Sequence, residues 1–306
     1  MKGDIYIDGI DIFSAYGANV TDGLESLFLF PAIKEPEQND WPEEDGIEVD
    51  LESIHLQTKE ITLSFFADNP NDLIDKVSQP GYHTIKVTSY EKEWRARLSS
   101  QSSNKLIKTS ADFALKFIID EPDRPILPEG YSPGTWVKDT GYYIDEVNLS
   151  SYGVEIYEGI DEITKSPAVK QNLIRSDISI IDGQIYDTDI LVFSSMDVTF
   201  KCLFVASSMS SFWACYNAFF AKMIEPGERL LTVEATGLTY PVYYKKSGSF
   251  KLRSSKNKVM LEFGLTFGFT SFRVEGKQYV LAAEDGSLIV TEDGLNYIDM
   301  NVYGGE

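Results

Sequence analysis

Val259-Met260-Leu261-Glu262-Phe263-Gly264-Leu265-Thr266-Phe267-Gly268-Phe269 is apolar at every odd-numbered position. Successive side chains of a strand point to opposite faces, so this run buries one face, as the strands of an antiparallel sheet do. The same period recurs in Ile61-Thr62-Leu63-Ser64-Phe65 and in Thr84-Ile85-Lys86-Val87-Thr88, and Leu231 and Val233 repeat the latter. The 17 tyrosines and 18 phenylalanines favour strands over helices. These patterns predict a mainly β chain, a β-rich α+β fold built from β-sandwich or partly closed barrel units.

The pattern occurs twice. Tyr6-Ile7-Asp8 recurs as Tyr143-Ile144-Asp145, and Tyr16-Gly17 as Tyr152-Gly153. Gly23 matches Gly159, Pro31-Ala32 matches Pro167-Ala168, and Lys34 matches Lys170. Asp45-Gly46 pairs with Asp182-Gly183, Ile61-Thr62-Leu63 with Val198-Thr199-Phe200, and Pro80-Gly81 with Pro226-Gly227. One fixed offset from there aligns Phe113, Leu115, Phe117 and Ile119 with Val259, Leu261, Phe263 and Leu265. Matches kept in order over most of each half indicate a tandem duplication. The division is residues 1–121 and 139–273 for the two homologous domains, 122–138 for a linker, and 274–306 for an extension. Pro122, Pro125, Pro128 and Pro133 make the linker a stiff connector. Asp285-Gly286 and Asp293-Gly294 suit type I′ turns, so the extension reads as a C-terminal β-meander.

One helix is expected in each copy. In the first, Asp68 or Asn69 caps, Pro70 opens the first turn, and Leu73, Ile74 and Val77 share a face. In the second, Phe212, Trp213, Cys215, Tyr216, Phe219, Phe220 and Met223 cover nearly the whole circumference. Such a helix must be covered on more than one side, by this chain's own core or by a neighbouring subunit.

The net charge of −21 disfavours direct nucleic-acid binding and docking on an anionic membrane. The opening Met1-Lys2-Gly3-Asp4-Ile5 lacks the apolar core of a signal peptide, so synthesis in the cytoplasm is expected. Cys202 and Cys215 read as buried, unreactive thiols, with a disulfide as the alternative. His55 and His83 are the sole histidines, each in a strand-like context, and no nucleophile elbow, phosphate loop or zinc spacing accompanies them. Hence no catalytic, cofactor-binding or metal-ligating residue is assigned.

Glu35 to Glu52 holds nine acids and no base, including Asp40-Trp41-Pro42-Glu43-Glu44-Asp45-Gly46. It reads either as a solvated loop or as a contact loop with Trp41 as anchor, where Glu43, Glu44 and Asp45 meet a basic partner. With Phe212, Trp213, Tyr216 and Phe220 of the longer helix, these are the candidate assembly contacts.

The layout is a short strand, Tyr-Gly, a loop ending in Pro-Ala-x-Lys, then an acidic Trp-Pro-Glu-Glu-Asp-Gly segment, an Ile-Thr-Leu-Ser-Phe strand, one helix and more strands. It resembles the distal-tail and tail-hub (baseplate) structural proteins of tailed phages and prophages. The resemblance implies a non-enzymatic virion component, an oligomeric ring around the tail axis that joins tail tube to baseplate. Its partners are further copies of itself, as a trimer or a hexamer, and other tail proteins. The second copy departs from the layout, since Ile180-Ile181-Asp182-Gly183 stands in place of the Trp-Pro-Glu-Glu-Asp-Gly segment. The alternatives from other classes are a carbohydrate- or surface-binding β-sandwich module and a glycoside hydrolase working through two carboxylates.

Overall fold

The computed structural model describes residues 3–271, apart from 108, 129–130, 132–136, 171–172, 176–181, 184, 187–190 and 255–257. The meander expected around Asp285-Gly286 and Asp293-Gly294 lies outside the described residues, as do Pro133, Ile180 and Ile181.

The chain is mainly β. Its first half holds β1 (Ile5–Ile7), β2 (Ile10–Asp11), β3 (Ala18–Asp22), β4 (Gln38–Asn39), β5 (Glu48–Val49), β6 (Lys59–Ala67), β7 (His83–Val87), β8 (Lys92–Ile107) and β9 (Ser110–Ile119). The second half holds β10 (Tyr142–Ile144), β11 (Val147–Asn148), β12 (Val154–Glu158), β13 (Leu173–Arg175), β14 (Ile185–Tyr186), β15 (Met196–Ala206), β16 (Arg229–Val233), β17 (Leu238–Ser254) and β18 (Val259–Phe269). One seven-stranded antiparallel sheet runs β2-β1-β7-β8-β9-β6-β3, and the other runs β11-β10-β16-β17-β18-β15-β12. Strand for strand, the second order repeats the first. In each half the long strand carries the sheet round a corner. Lys92–Ala96 of β8 pair with β7, and the strand's remainder pairs with β9 through two bulges.

Irregularities recur at matching places. The register slips between Val20 and Asp22 in β3 and between Ile156 and Glu158 in β12. It slips again between Leu98 and Ser100 in β8 and between Tyr244 and Lys246 in β17. Asp8 and Gly9 take positive φ at the β1–β2 turn, as Asp145 and Glu146 do at β10–β11. The Asp8 carboxylate accepts from the Thr84 N–H and meets His83 and Lys76. Asp145 accepts from the Leu230 N–H and meets Arg229 and Lys222.

One alignment from sequence needs correcting. Ile61 pairs with Phe117 in the first sheet, and its counterpart Val198 pairs with Phe267 in the second. The counterpart of Phe113 is therefore Phe263 and not Val259, because the β17–β18 hairpin is four residues longer. A slip of four keeps every side chain on its face, so a period-two pattern cannot register it.

The expected helices are α2 (Pro70–Val77) and α4 (Met209–Met223), joined by two single-turn pieces, α1 (Ile12–Tyr16) and α3 (Ile160–Ile163). Pro70 occupies the first turn of α2, and Leu73 and Val77 are buried against the sheet. In α4 the Ser208 hydroxyl caps by accepting from the Ser211 N–H at 3.1 Å. Leu63, Phe65, Ile85, Leu115 and Phe117 fill one core, and Phe200, Phe204, Leu231, Leu261 and Phe263 fill the other. Both halves belong to a single compact unit. Arg124 of the connector donates to the Ile54 carbonyl on one side and the Ile224 carbonyl on the other. Cys202 and Cys215 are both buried and unpaired. His83 lies in β7, whereas His55 lies in an irregular segment and not in a strand.

Burial pushes the Asp8 carboxyl up, but hydrogen bonds from His83, the Thr84 N–H and Lys76 outweigh it and hold it at about 2. A depressed carboxylate stabilises the fold above its unfolded pKa, roughly 4, and that contribution is lost as pH falls through the folded value. Asp8→Asn is expected to flatten the fall in stability between about pH 4 and pH 2. Urea melts across that range check it.

Candidate functional site

The seam between the halves gathers most of the unusual chemistry. Gly23 ends β3 at a φ of +93°, where an added Cβ would lie 2.0 Å from the Thr62 carbonyl oxygen. No other residue leaves the strand so close to β6. A 3-10 turn, Leu24–Phe28, follows and delivers Phe28-Leu29-Phe30-Pro31 onto the second half. Phe28 packs on Tyr90, Phe212 and Trp213, and Phe30 stacks on Phe220 with centroids 4.2 Å apart. Both phenylalanines are almost wholly buried, each worth roughly 1.5–3 kcal/mol relative to exposure.

The backbone of this plug is satisfied from the second half. The Tyr216 hydroxyl donates to the Phe28 carbonyl at 2.9 Å, and the Tyr244 hydroxyl to the Pro31 carbonyl at 2.9 Å. The Ser247 hydroxyl donates to the Phe30 carbonyl at 2.9 Å, and the Ile33 N–H reaches the Lys245 carbonyl at 3.0 Å. Burial raises the pKa of both tyrosines, so they stay protonated as donors.

The candidate residues of α4 all lie here. Phe212 and Phe220 are fully buried and Tyr216 is 6% exposed, so the helix is covered by its own sheet and by the first half of the same chain. Those three side chains leave no surface for a neighbouring subunit. Trp213 is half-buried, donates from Nε1 to the Tyr90 carbonyl at 2.7 Å, and carries the Lys92 ammonium 4.1 Å above its ring.

The acidic loop makes the second contact. Lys170, buried beneath it, donates to the carbonyls of Trp41 (2.8 Å), Glu44 (2.8 Å) and Gly46 (2.6 Å) and pairs with the Asp40 carboxylate. Asp45 accepts from the Phe193 N–H at 2.6 Å, while the Gly46 N–H donates to the Phe193 carbonyl at 2.8 Å. The Ile47 N–H reaches the Thr270 carbonyl at 2.8 Å, and a Cβ on Gly46 would stand 1.6 Å from that oxygen. The basic partner of the loop is thus a lysine of the chain's own second half, reached through backbone carbonyls and Asp40. Glu43 and Glu44 point to solvent, and Trp41 is 50% exposed with its Nε1 on Glu48.

Lys59 supports the plug from below, donating to the Leu27 carbonyl at 2.5 Å. Burial, aided by the Lys92 charge, pushes its ammonium down to about 7. Its counterpart in β15 is Met196, an apolar group of similar reach. Sequence reading missed Lys170, Phe193, Thr270, Phe28 and Phe30. A signal for the last two was present, since their counterparts Thr164 and Ser166 are polar.

Among the described residues no cluster of metal-ligating side chains occurs, and no helix is long and apolar enough to cross a membrane. No family model matches the chain, and no curated protein matches it. Among solved structures it is similar to the crystal structure of the phage SPP1 Dit (gp 19.1) protein, described as a paradigm of the hub adsorption apparatus in phages infecting Gram-positive bacteria. That match covers 87% of this chain and 97% of the other, at 8% identity and a TM-score of 0.30.

Two outcomes follow from the seam. Lys170→Ala leaves three carbonyls without their donor, so the unfolding free energy should fall by roughly 3 kcal/mol, read from denaturant melts. For Lys59, the unfolded chain keeps a proton that the folded chain has lost between about pH 7 and pH 10, so stability should rise with pH across that window. Lys59→Met should abolish the rise, and melts at pH 7 and pH 9.5 decide it.

Proposed function

We propose that this chain is a structural subunit of a phage or prophage tail, assembling with further copies into a ring at the junction of tail tube and baseplate. The observation that carries this reading is the pair of seven-stranded sheets of the same strand order, with register slips at matching places in β3 and β12 and in β8 and β17, in one compact unit. A closed ring needs one patch to meet its complement at every step, and a duplicated chain makes half of those steps intramolecular. Three chains then present six pseudo-equivalent units, and the reading takes a trimer over a hexamer on that ground.

The role is assembly and not catalysis. His83 is held by Asp8 and Gln79 in a contact that Arg229 and Asp145 repeat in the other half, a structural use of the ring. Burial pushes the Cys202 and Cys215 thiols up, away from the nucleophilic thiolate. The exposed Trp41, Glu43 and Glu44 remain as contacts for other tail proteins, and the acidic surface steers the approach of basic partners. Negative-stain imaging and mass measurement of the purified protein test the reading. Rings of three chains are the expected result, six chains around the axis would reject the trimer, and particles with no rotational symmetry would remove the ring.

A further inference from the structure

The contact between the halves runs one way. The first half lends the Asp40-to-Gly46 loop, and the second half lends the socket of Lys170, Phe193 and Thr270. The duplication repeats the residues of both surfaces on the opposite halves, and among the described residues Lys34, Leu56, Asp182 and Gly183 make no hydrogen bond between the halves. On the socket side, Lys34 is the counterpart of Lys170. The Lys34 N–H donates to the His55 carbonyl at 2.7 Å and the Gln57 N–H to the Ala32 carbonyl at 2.8 Å. These repeat the bonds from Lys170 to Val192 (2.9 Å) and from Ser194 to Ala168 (2.8 Å). Ile33 bridges Leu56 as Val169 bridges Phe193, so Leu56 stands where Phe193 takes the loop. By the corrected strand register, Asp120 stands where Thr270 does.

Among the described residues Lys34 is exposed without an ion pair, and the Leu56 backbone makes no hydrogen bond. On the loop side, Gly183 holds a φ of +83° against +74° for Gly46, yet among the described residues nothing lies within 4 Å of its would-be Cβ. Asp182 is exposed beside it. In sequence Asp177 precedes Asp182 by the same interval as Asp40 precedes Asp45. The residues kept are those that act by side chain or by lack of one. Trp41, Glu43 and Glu44, of which Trp41 and Glu44 offer the socket carbonyls alone, have become Ile178, Ile180 and Ile181.

We propose that the Asp182-Gly183 turn of one copy docks on Lys34, Leu56 and the Asp120 carbonyl of a second copy, joining chains head to tail. The proposal rests on the ring reading and names its contact. A one-way intrachain seam leaves the Asp182-Gly183 turn at one end and the Lys34 socket at the other, a heterologous geometry of the kind that closes rings when the rotation between copies closes. The aromatic plug is not repeated, because Thr164 and Ser166 replace Phe28 and Phe30 and are exposed. The contact between chains therefore lacks the plug, and its charged part, Lys34 with the Asp182-Gly183 turn, weakens as salt rises.

The test is sedimentation velocity of the full chain over protein and salt concentration, comparing wild type with Lys34→Ala and Gly183→Ala. Each variant should weaken association by about tenfold or more while its thermal melt stays within a few degrees of wild type. Rings that form with wild-type affinity in both variants overturn the docking and leave the ring reading standing. A wild type that stays monomeric at the highest attainable concentration overturns both. Because Gly183→Ala alters a left-handed position, a second arm places cysteines at Lys34 and Asp182 and adds a short bis-maleimide to the assembled protein. A ladder of covalent multimers supports the docking, and a monomer band alone overturns it.

Discussion

The ammonium of Lys170 is buried at the seam, where an unpaired charge would cost several kcal/mol, and it is tolerable there because three carbonyls and Asp40 surround it. Those carbonyls converge because Gly46 turns the loop at positive φ and lets the backbone rest on Thr270. Placing Thr270 there requires β18 to run its full length beside β15, so the charge, the loop and the second sheet depend on one another. The same fixed loop sets the chain path into β5 and β6. Lys59 at the start of β6 then holds the Leu27 carbonyl and steadies the plug.

Two copies of one unit have diverged along their shared border. The internal border has become aromatic around Phe28, Phe30, Tyr216 and Phe220, as permanent interfaces do. The outward-facing versions keep the lysine, both aspartates and the glycine, as Lys34, Asp177, Asp182 and Gly183, and lose the aromatic residues and the two glutamates. Covalent linkage explains the difference, because a border that never separates carries no solubility cost for exposed phenylalanine. Lys59 and its counterpart Met196 show the same divergence. The charged copy sits where a carbonyl of the plug needs a donor, and the second half has no plug.

Much of the fold is legible because period-two alternation is a local property: Ile61 to Phe65 and Val259 to Phe269 read as strands without any partner in view. The duplication is legible for a related reason, since Gly17, Gly23 and Asp8 serve backbone conformations that the second copy must reproduce at Gly153, Gly159 and Asp145. The seam is harder. A lysine such as Lys170 looks like surface charge, because its burial depends on carbonyls more than a hundred residues away. The apolar circumference of α4 does show that two sides are covered. It cannot show that the second cover is Phe28 and Phe30 of the same chain and not another molecule. The four-residue slip between Phe113 and Phe263 is invisible for a stricter reason, as parity is all that alternation records.

The plug also sets a schedule for synthesis. Phe30 and the Tyr244 that satisfies its carbonyl are 214 residues apart. At about 5–20 residues per second, roughly 10–40 s pass between their emergence from a ribosome. Once β9 has emerged, and until Tyr244 does, the first sheet is complete but carries two bare phenylalanines and an unclasped acidic loop. A nascent half in that state is sticky toward other nascent halves on the same message, where local concentration is high. The acids of the Glu35-to-Glu52 segment lie next to the plug in sequence and repel their own kind. They protect the growing chain during the period when its fold cannot.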